Sequence, residues 1–239
     1  MDLQTGLALI ASVIGVADYF KDINPLYCKK RAEMEVYMNI FKEHLTKHLE
    51  DIPEENRQSP KNSIIWPAFE SSIFYLEDEE YREMFAKLIA SACDNRKNIN
   101  SHHYFLNIIK QLDPKDAIIL KSFCNENSKQ AITNICVKSK IGEGMTILTN
   151  HFFVLNKNTS SNPDAYSSCI TNLKRLGIIE VSYLSKLVVS ENYDIYEQHP
   201  VYLELKSFAD KNGIAEIYLE KGIVDLTPLG KDFLKVCIE

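Results

Sequence analysis

The sequence predicts a mainly α-helical protein with a small β component, built in two parts. Three observations carry that prediction. Apolar residues recur at three- and four-residue steps through most of the first 125 positions, the spacing of one helix face. Runs of branched residues gather only in the C-terminal half, around 145–155, 178–181 and 215–226. Prolines, glycines and polar clusters punctuate the ends of these segments. A chain of 239 residues, 45% hydrophobic and 25% charged, is long and apolar enough to bury a real core in one large or two ordinary domains.

The first element is the apolar run from Leu7 to Ala17, including Leu7, Leu9, Ile10, Val13 and Ile14. It is shorter than the roughly 20 residues needed to span a bilayer, and it lacks the basic leader of a secretory signal. A helix apolar on nearly every side requires burial, in the protein or in an oligomer. The other reading is contact with a membrane surface through 7–17. From Lys29 to Leu49, Met34, Met38, Phe41 and Leu45 form one stripe of an amphipathic helix, which the polar stretch Asp51–Asn62 ends. A second helix opens at Ile64, with Pro67 expected in its first turn. Asp78–Arg82 starts a third, with Tyr81, Phe85, Leu88, Ile89 and Ala92 as its buried face. His102 to Leu112 makes a fourth through Phe105, Ile108, Ile109 and Leu112. Residues 1–112 are therefore expected to form a helical bundle.

The second part, 113–239, opens with Asp113 as N-cap and Pro114 at the first helical position. Ala117, Ile118, Leu120 and Phe123 are its expected buried side. Met145–Leu155 leans to β-structure, and Lys157–Pro163 is a polar loop. A helix beginning at Asn162-Pro163-Asp164 runs through Cys169, Ile170 and Leu173 to Leu176, where Gly177 supplies a left-handed stop. Strand Ile178–Val181 follows. Ala215–Leu219 and Ile223–Leu226 are expected as two strands turned at Glu220-Lys221-Gly222, and Thr227-Pro228 caps a last helix. A helical insertion lies near 196–211. Helix, glycine, strand, hairpin and short helix is the order of a winged helix, so this part is expected to be winged-helix-like.

In a winged helix the helix before Gly177 would be the recognition helix. Tyr166, Ser167, Thr171 and Asn172 would then meet nucleic acid, with Lys174, Arg175 and Lys186 on phosphates. The alternative is a protein-binding or dimerisation module. The formal charge of −6 argues against broad nucleic-acid binding. Phe74, Tyr75 and the apolar N-terminal run are the candidate protein-contact residues. His44 and His48 lie one helical turn apart, without a general-base glutamate between them or a third ligand, and are expected to face solvent. Glu77–Glu80 is expected to be a solvated helix start. The six cysteines, Cys28, Cys93, Cys124, Cys136, Cys169 and Cys237, show no CxxC spacing and are expected as reduced core residues of a cytoplasmic protein. Nothing points to a catalytic site, a metal or a cofactor, and the chain is expected not to be an enzyme.

Three segments resemble the bacterial abortive-infection alpha family. The helix Tyr81–Ala92 is similar to the family's leucine-leucine-alanine helix. His102–Ala117 is similar to its run of His-Pro-x-Phe followed by Lys-Gln-Leu-Ser-Pro-x-Asp-Ala, with Tyr104 in place of the usual proline and Asp113 in place of serine. The third is the winged-helix-like end, closing at Leu226-Thr227-Pro228-Leu229-Gly230. The resemblance covers roughly residues 60–239. It implies an association with resistance to phage and no agreed enzymatic activity. The expected partners are a protein or a phage component, with self-association, nucleic acid and membrane as further alternatives.

Overall fold

A computed structural model of the chain describes residues 31–60, 62–97, 102–124, 129–139, 144–155, 164, 166–213 and 215–239, with Gly15. Leu7, Leu9, Ile10, Val13 and Ile14 lie outside the described residues. The protein is mainly helical with a small curled four-stranded antiparallel sheet. It divides into two compact units, residues 1–114 with 232–239, and residues 115–231.

In the first unit, α1 (Arg31–Glu50) buries Met34, Met38, Phe41, Leu45 and Leu49, the stripe read from its spacing. It packs on α3 (Glu79–Ala92), whose buried face contains Tyr81, Phe85, Leu88, Ile89 and Ala92 as expected. Between them in sequence, α2 (Asn62–Ser72) seats Phe69 edge-on against Phe41, with ring centres 5.9 Å apart. This helix begins earlier than expected, so Pro67 sits in its interior rather than its first turn. The bond that proline removes would have gone to the carbonyl of Ser63, an exposed residue whose oxygen water can satisfy. A 3-10 turn, Ile73–Tyr75, follows, and α4 is His102–Ile109. Phe105 of α4 meets Phe233 edge to face at 5.4 Å. The terminal turn Leu234–Ile238 buries Val236 and Cys237. Lys87 Nζ donates to the carbonyl of Ile238 at 2.6 Å, and Lys97 Nζ to that of Lys235 at 2.8 Å. Cations belong at the carbonyl end of a helix, where the dipole is negative.

In the second unit, α5 (Pro114–Ser122) starts at its proline as expected, but its inner face differs. Ile119 is fully buried and Ile118 is 44% exposed, correcting the expected stripe. At 100° per residue, 117, 120 and 123 share a side that 119 borders and 118 opposes. The sheet consists of β1 (Lys129–Ser139), β2 (Met145–Phe152), β3 (Ile179–Ser182) and β4 (Ala215–Leu226) in the order β2-β1-β4-β3. Strand β1 was not expected. Its middle, Ala131–Cys136, is buried on both faces, so the alternation that reveals a half-buried strand is missing. Strand β4 corrects a second expectation: Glu220-Lys221-Gly222 is no turn. Eleven consecutive residues of β4, Ala215 to Asp225, pair with β1, and Ile132, Thr133 and Asn134 hold Gly222, Lys221 and Glu220 in line.

Helix α6 (Ser167–Arg175) lies against β2 and β3 and buries Cys169, Ile170 and Leu173. It begins at Ser167, later than the expected Asn162; Asn162 and Pro163 lie outside the described residues. Gly177 takes φ +72°, the left-handed stop that its type suits. The insertion between β3 and β4 contains α7 (Asp194–Glu197) and α8 (Pro200–Asn212). Tyr193, Tyr196, Tyr202 and Ala209 from this insertion share one core with Ala131, Ile135 and Ile217 of the sheet. The closing helix α9 (Pro228–Phe233) is fastened by Thr227, whose Oγ1 donates to the carbonyl of Gly177 and accepts the Gly230 N–H at 2.9 Å. Cys93, Cys136, Cys169 and Cys237 are buried, and burial pushes the Cys93 thiol up to about 12. Cys124, two residues past the end of α5, is exposed, against expectation. Cys28 lies outside the described residues.

Candidate functional site

The first unit carries an open groove of about 490 Å³ between α2 and α4. Pro67, Glu70, Ser71 and Phe74 form one wall, and His103, Leu106, Asn107 and Lys110 the other. Each wall has spacing i, i+3, i+4, i+7, a single helical face. Tyr75 closes the end: its hydroxyl donates to the carbonyl of Lys110 at 3.3 Å, and its ring packs 4.8 Å from Tyr81. Phe74 of the lining is 61% exposed; Tyr104 (67%) and Trp66 (37%) are exposed on the same two helices, outside the lining. Phe74 and Tyr75, the candidate contact residues read from the sequence, both line this groove; the α4 wall was not read from it. Periodicity shows which side of a helix is apolar, but not whether a neighbouring helix covers it.

Deeper in the same unit, His44 and His48 do not face solvent as expected. Both turn toward Glu83 of α3. His48 Nε2 lies 2.9 Å from Oε1 in a hydrogen bond. His44 Nδ1 lies 2.9 Å from Oε2, within ion-pair range but out of hydrogen-bond alignment. Lys87 Nζ adds a contact at 3.2 Å. The His48 hydrogen bond, partly opposed by burial and assisted by Lys87, holds the Glu83 carboxyl down at about 2. One carboxylate thus ties two turns of α1 to α3. Among the described residues, no group of three or more His, Cys, Asp or Glu side chains is placed to hold a metal ion.

In the second unit, Ser167, Ser168, Thr171, Asn172 and Arg175 of α6 line a shallow depression together with Asp164, which precedes the helix. Tyr166 is half-buried just before the helix, and Lys174 is exposed. Lys186 is exposed in the loop after β3 and is not part of that lining. Much of this polar face is engaged within the chain. Ser167 Oγ donates to the carbonyl of Asn150, and Thr171 Oγ1 to that of Ser167 at 2.8 Å. Asn172 Nδ2 donates to the buried Asp116 at 2.7 Å, while its Oδ1 accepts from Arg175 Nη2 at 2.7 Å. An asparagine with both ends occupied has little left for a base edge.

A second polar group sits where the β1–β2 register slips. Asn134, nearly fully buried on β1, accepts the His151 N–H at 2.9 Å and donates to Glu220 Oε2 at 2.8 Å. His151 has φ +53°, a value no other described non-glycine residue shares in sign. Its Nδ1 lies 2.9 Å from the Tyr183 hydroxyl, and the two rings stack. Burial, with Lys174 nearby, lowers the His151 pKa, which favours the neutral ring. Gly222 leaves the space for Tyr183, since a Cβ there would stand 2.6 Å from the Tyr183 ring. The side-chain bonds of Asn134 replace the ladder where the bulge interrupts it. That is a structural role, and the glycine of the misread turn belongs to it.

Together these features define a mainly helical protein with a small antiparallel sheet, whose described surfaces include the α2–α4 groove and a short basic helix end. The chain belongs to the abortive infection alpha family, whose sequence model matches residues 33–237. The family points to a role in abortive infection, a form of phage defence. Comparison with curated proteins and with solved structures finds no match. No helix among the described residues is long and apolar enough to cross a membrane.

Proposed function

We propose that this protein is a non-enzymatic recognition component of abortive infection, acting by protein–protein contact through the groove between α2 and α4. The supporting observation is the groove itself: two sets of i, i+3, i+4, i+7 side chains, one on each wall, with Phe74 standing 61% exposed. That geometry suits an amphipathic helix of a phage protein or host partner, which would lay its apolar face between the walls. Aromatic side chains contribute most at such contacts because they bury large areas at small entropic cost. The test is a phage plating assay with Phe74→Asp. Protection should fall at least tenfold while the far-UV spectrum stays unchanged, because an exposed ring supports no core. Undiminished protection would remove the groove from the account.

A second reading is a winged-helix DNA-binding regulator. Its support is the exposed pair Lys174 and Arg175 at the end of α6, with β3 and β4 paired after it. A titration at two salt concentrations separates the two. Phosphate contacts would give steep weakening with salt, and Lys174→Ala with Arg175→Ala would flatten that slope by about two unit charges. Absence of binding at low salt eliminates it.

A further inference from the structure

The chain has a formal charge of −6, yet four of its cations converge on one cavity of the first unit. Lys87 of α3, Arg96 and Lys97 just after that helix, and Lys235 of the closing turn line a cleft of about 190 Å³. Composition does not bring positions 87, 96, 97 and 235 together; the fold does. The carboxylates on the same lining are Asp51, Asp94 and Glu239, and His48 is its other titratable group.

Two of the four charges are met inside the protein. Arg96 clasps Asp94, a residue only 2% exposed, with Nε 2.9 Å from Oδ1 and Nη2 2.6 Å from Oδ2. Lys87 Nζ lies 3.2 Å from Glu83. Lys97 and Lys235 differ: among the described residues no carboxylate comes within ion-pair range of either. Asp51 and Glu239 line the cavity without closing on them.

The two lysines instead feel each other's charge. Burial first, and then the Lys235 ammonium, lower the Lys97 pKa against the pull of Asp94. Lys97 is held in place all the same, because its Nζ donates to the Lys235 carbonyl at 2.8 Å. Lys87 Nζ is anchored in the same way on the carbonyl of Ile238 at 2.6 Å. An ammonium carries three donors and uses one on such a carbonyl, so both side chains are positioned with donors to spare. Like charges fixed close together in a partly buried cleft cost stability, and a bound anion offsets that cost. At about 30 Å³ per water, the cavity holds about six waters, room for one phosphate group and little more. Guanidinium and ammonium N–H groups are the donors that phosphate oxygens accept from most strongly.

We propose that this cavity binds a phosphate group, either the free ion or a monoester on a small molecule, with Lys97 and Lys235 as its principal charges and Lys87 and Arg96 beside them. The site is separate from the α2–α4 groove, with which it shares no lining residue, and it stands whether or not that groove meets a protein.

The test uses the full chain and three probes, inorganic phosphate, adenosine monophosphate and adenosine, with sodium chloride matched for ionic strength. At about 10 mM, phosphate or the monophosphate should raise Tm by about 3 °C. A response to phosphate alone marks the free ion as the ligand, and a response to the monophosphate marks a site open to monoesters. An equal response to adenosine overturns the proposal, because the nucleoside would then be what binds. So does no response to either phosphate probe. Lys235→Gln should be at least as stable as wild type without phosphate, since one of two repelling charges is gone. Its affinity for phosphate by calorimetry should fall about fivefold, the effect of one unit charge at contact distance in water. Glu239→Gln, which removes a carboxylate from the lining, should tighten binding about threefold, a gain that no loss of structure produces. Equal binding by wild type and Lys235→Gln places the anion elsewhere and overturns the proposal. Weaker binding in Glu239→Gln does the same, as does a Lys235→Gln chain that melts below wild type without phosphate.

Discussion

Replacing Gly230 with alanine should be among the most damaging single-methyl additions in this chain. A Cβ built at that position would lie 2.0 Å from the Ile178 carbonyl oxygen and 3.0 Å from its carbon. Carbon–oxygen contacts normally stop near 3.3 Å, so α9 would have to withdraw by more than about 1 Å. Withdrawal breaks the Thr227 cap, in which Oγ1 accepts the Gly230 N–H and donates to the carbonyl of Gly177. Such a cap contributes about 1 kcal/mol, and overpacking against backbone adds about 1–3 kcal/mol. The expected loss is about 3 kcal/mol. Gly177→Ala is the internal control. Its φ of +72° carries a conformational cost of about 1–2 kcal/mol, yet the nearest atom to the new methyl is Leu229 Cδ2 at an ordinary 3.9 Å. Urea unfolding followed by far-UV circular dichroism measures both. Thr227→Ala should cost about 1 kcal/mol alone and almost nothing on top of Gly230→Ala, because the helix has already moved. If Gly230→Ala proves no more costly than Gly177→Ala, the close approach of α9 to Ile178 is wrong, and with it this account of the Leu-Thr-Pro-Leu-Gly ending.

Two further perturbations test the first unit and α5. Glu83→Gln removes the charge shared by His48 and Lys87. A carboxyl lowered from 4.5 to about 2 corresponds to about 3 kcal/mol by linkage, reduced to about 1–2 kcal/mol at this partly exposed site by solvent screening. The sign follows from the lowered pKa: the stabilisation is complete above about pH 4.5 and is lost as pH falls toward 2. Acid titration of stability should therefore show a steeper decline across that window in the wild type than in Glu83→Gln, and parallel curves would refute the clamp. On α5, Ile119→Ala should cost about 2–5 kcal/mol and Ile118→Ala under about 1 kcal/mol; equal losses in thermal melts would contradict the face assigned to this helix.

Several parts of this architecture could be read directly from residue order. The stripes of α1 and α3 were legible because their inner sides repeat Met, Phe, Leu and Ile at helical spacing against polar outer sides. The passage from α6 through Gly177 into β3 was legible because only glycine accepts that positive φ easily. Other parts were hidden for definite reasons. A strand buried on both faces has no alternation, so β1 carried no signal. Glu220-Lys221-Gly222 has the composition of a turn, and only the hydrogen-bonded partner along β1 keeps it straight. His44 and His48 looked solvated because their partner, Glu83, is 35 residues or more away along the chain.

The groove shows the same division. The faces of α2 and α4 each have a regular spacing, but the sequence of either helix is silent on whether the two meet, and on which aromatic rings remain in water after they do. Family membership, helix positions and chain punctuation are local properties, set by backbone preference and by residues a few positions apart, and these the sequence determined by itself. Which carboxylate meets which imidazole, which strand straightens a glycine and which ring stays uncovered depend on free energies of contact between distant segments. Only the tertiary structure decided those, because such contacts exist only once the chain has closed on itself.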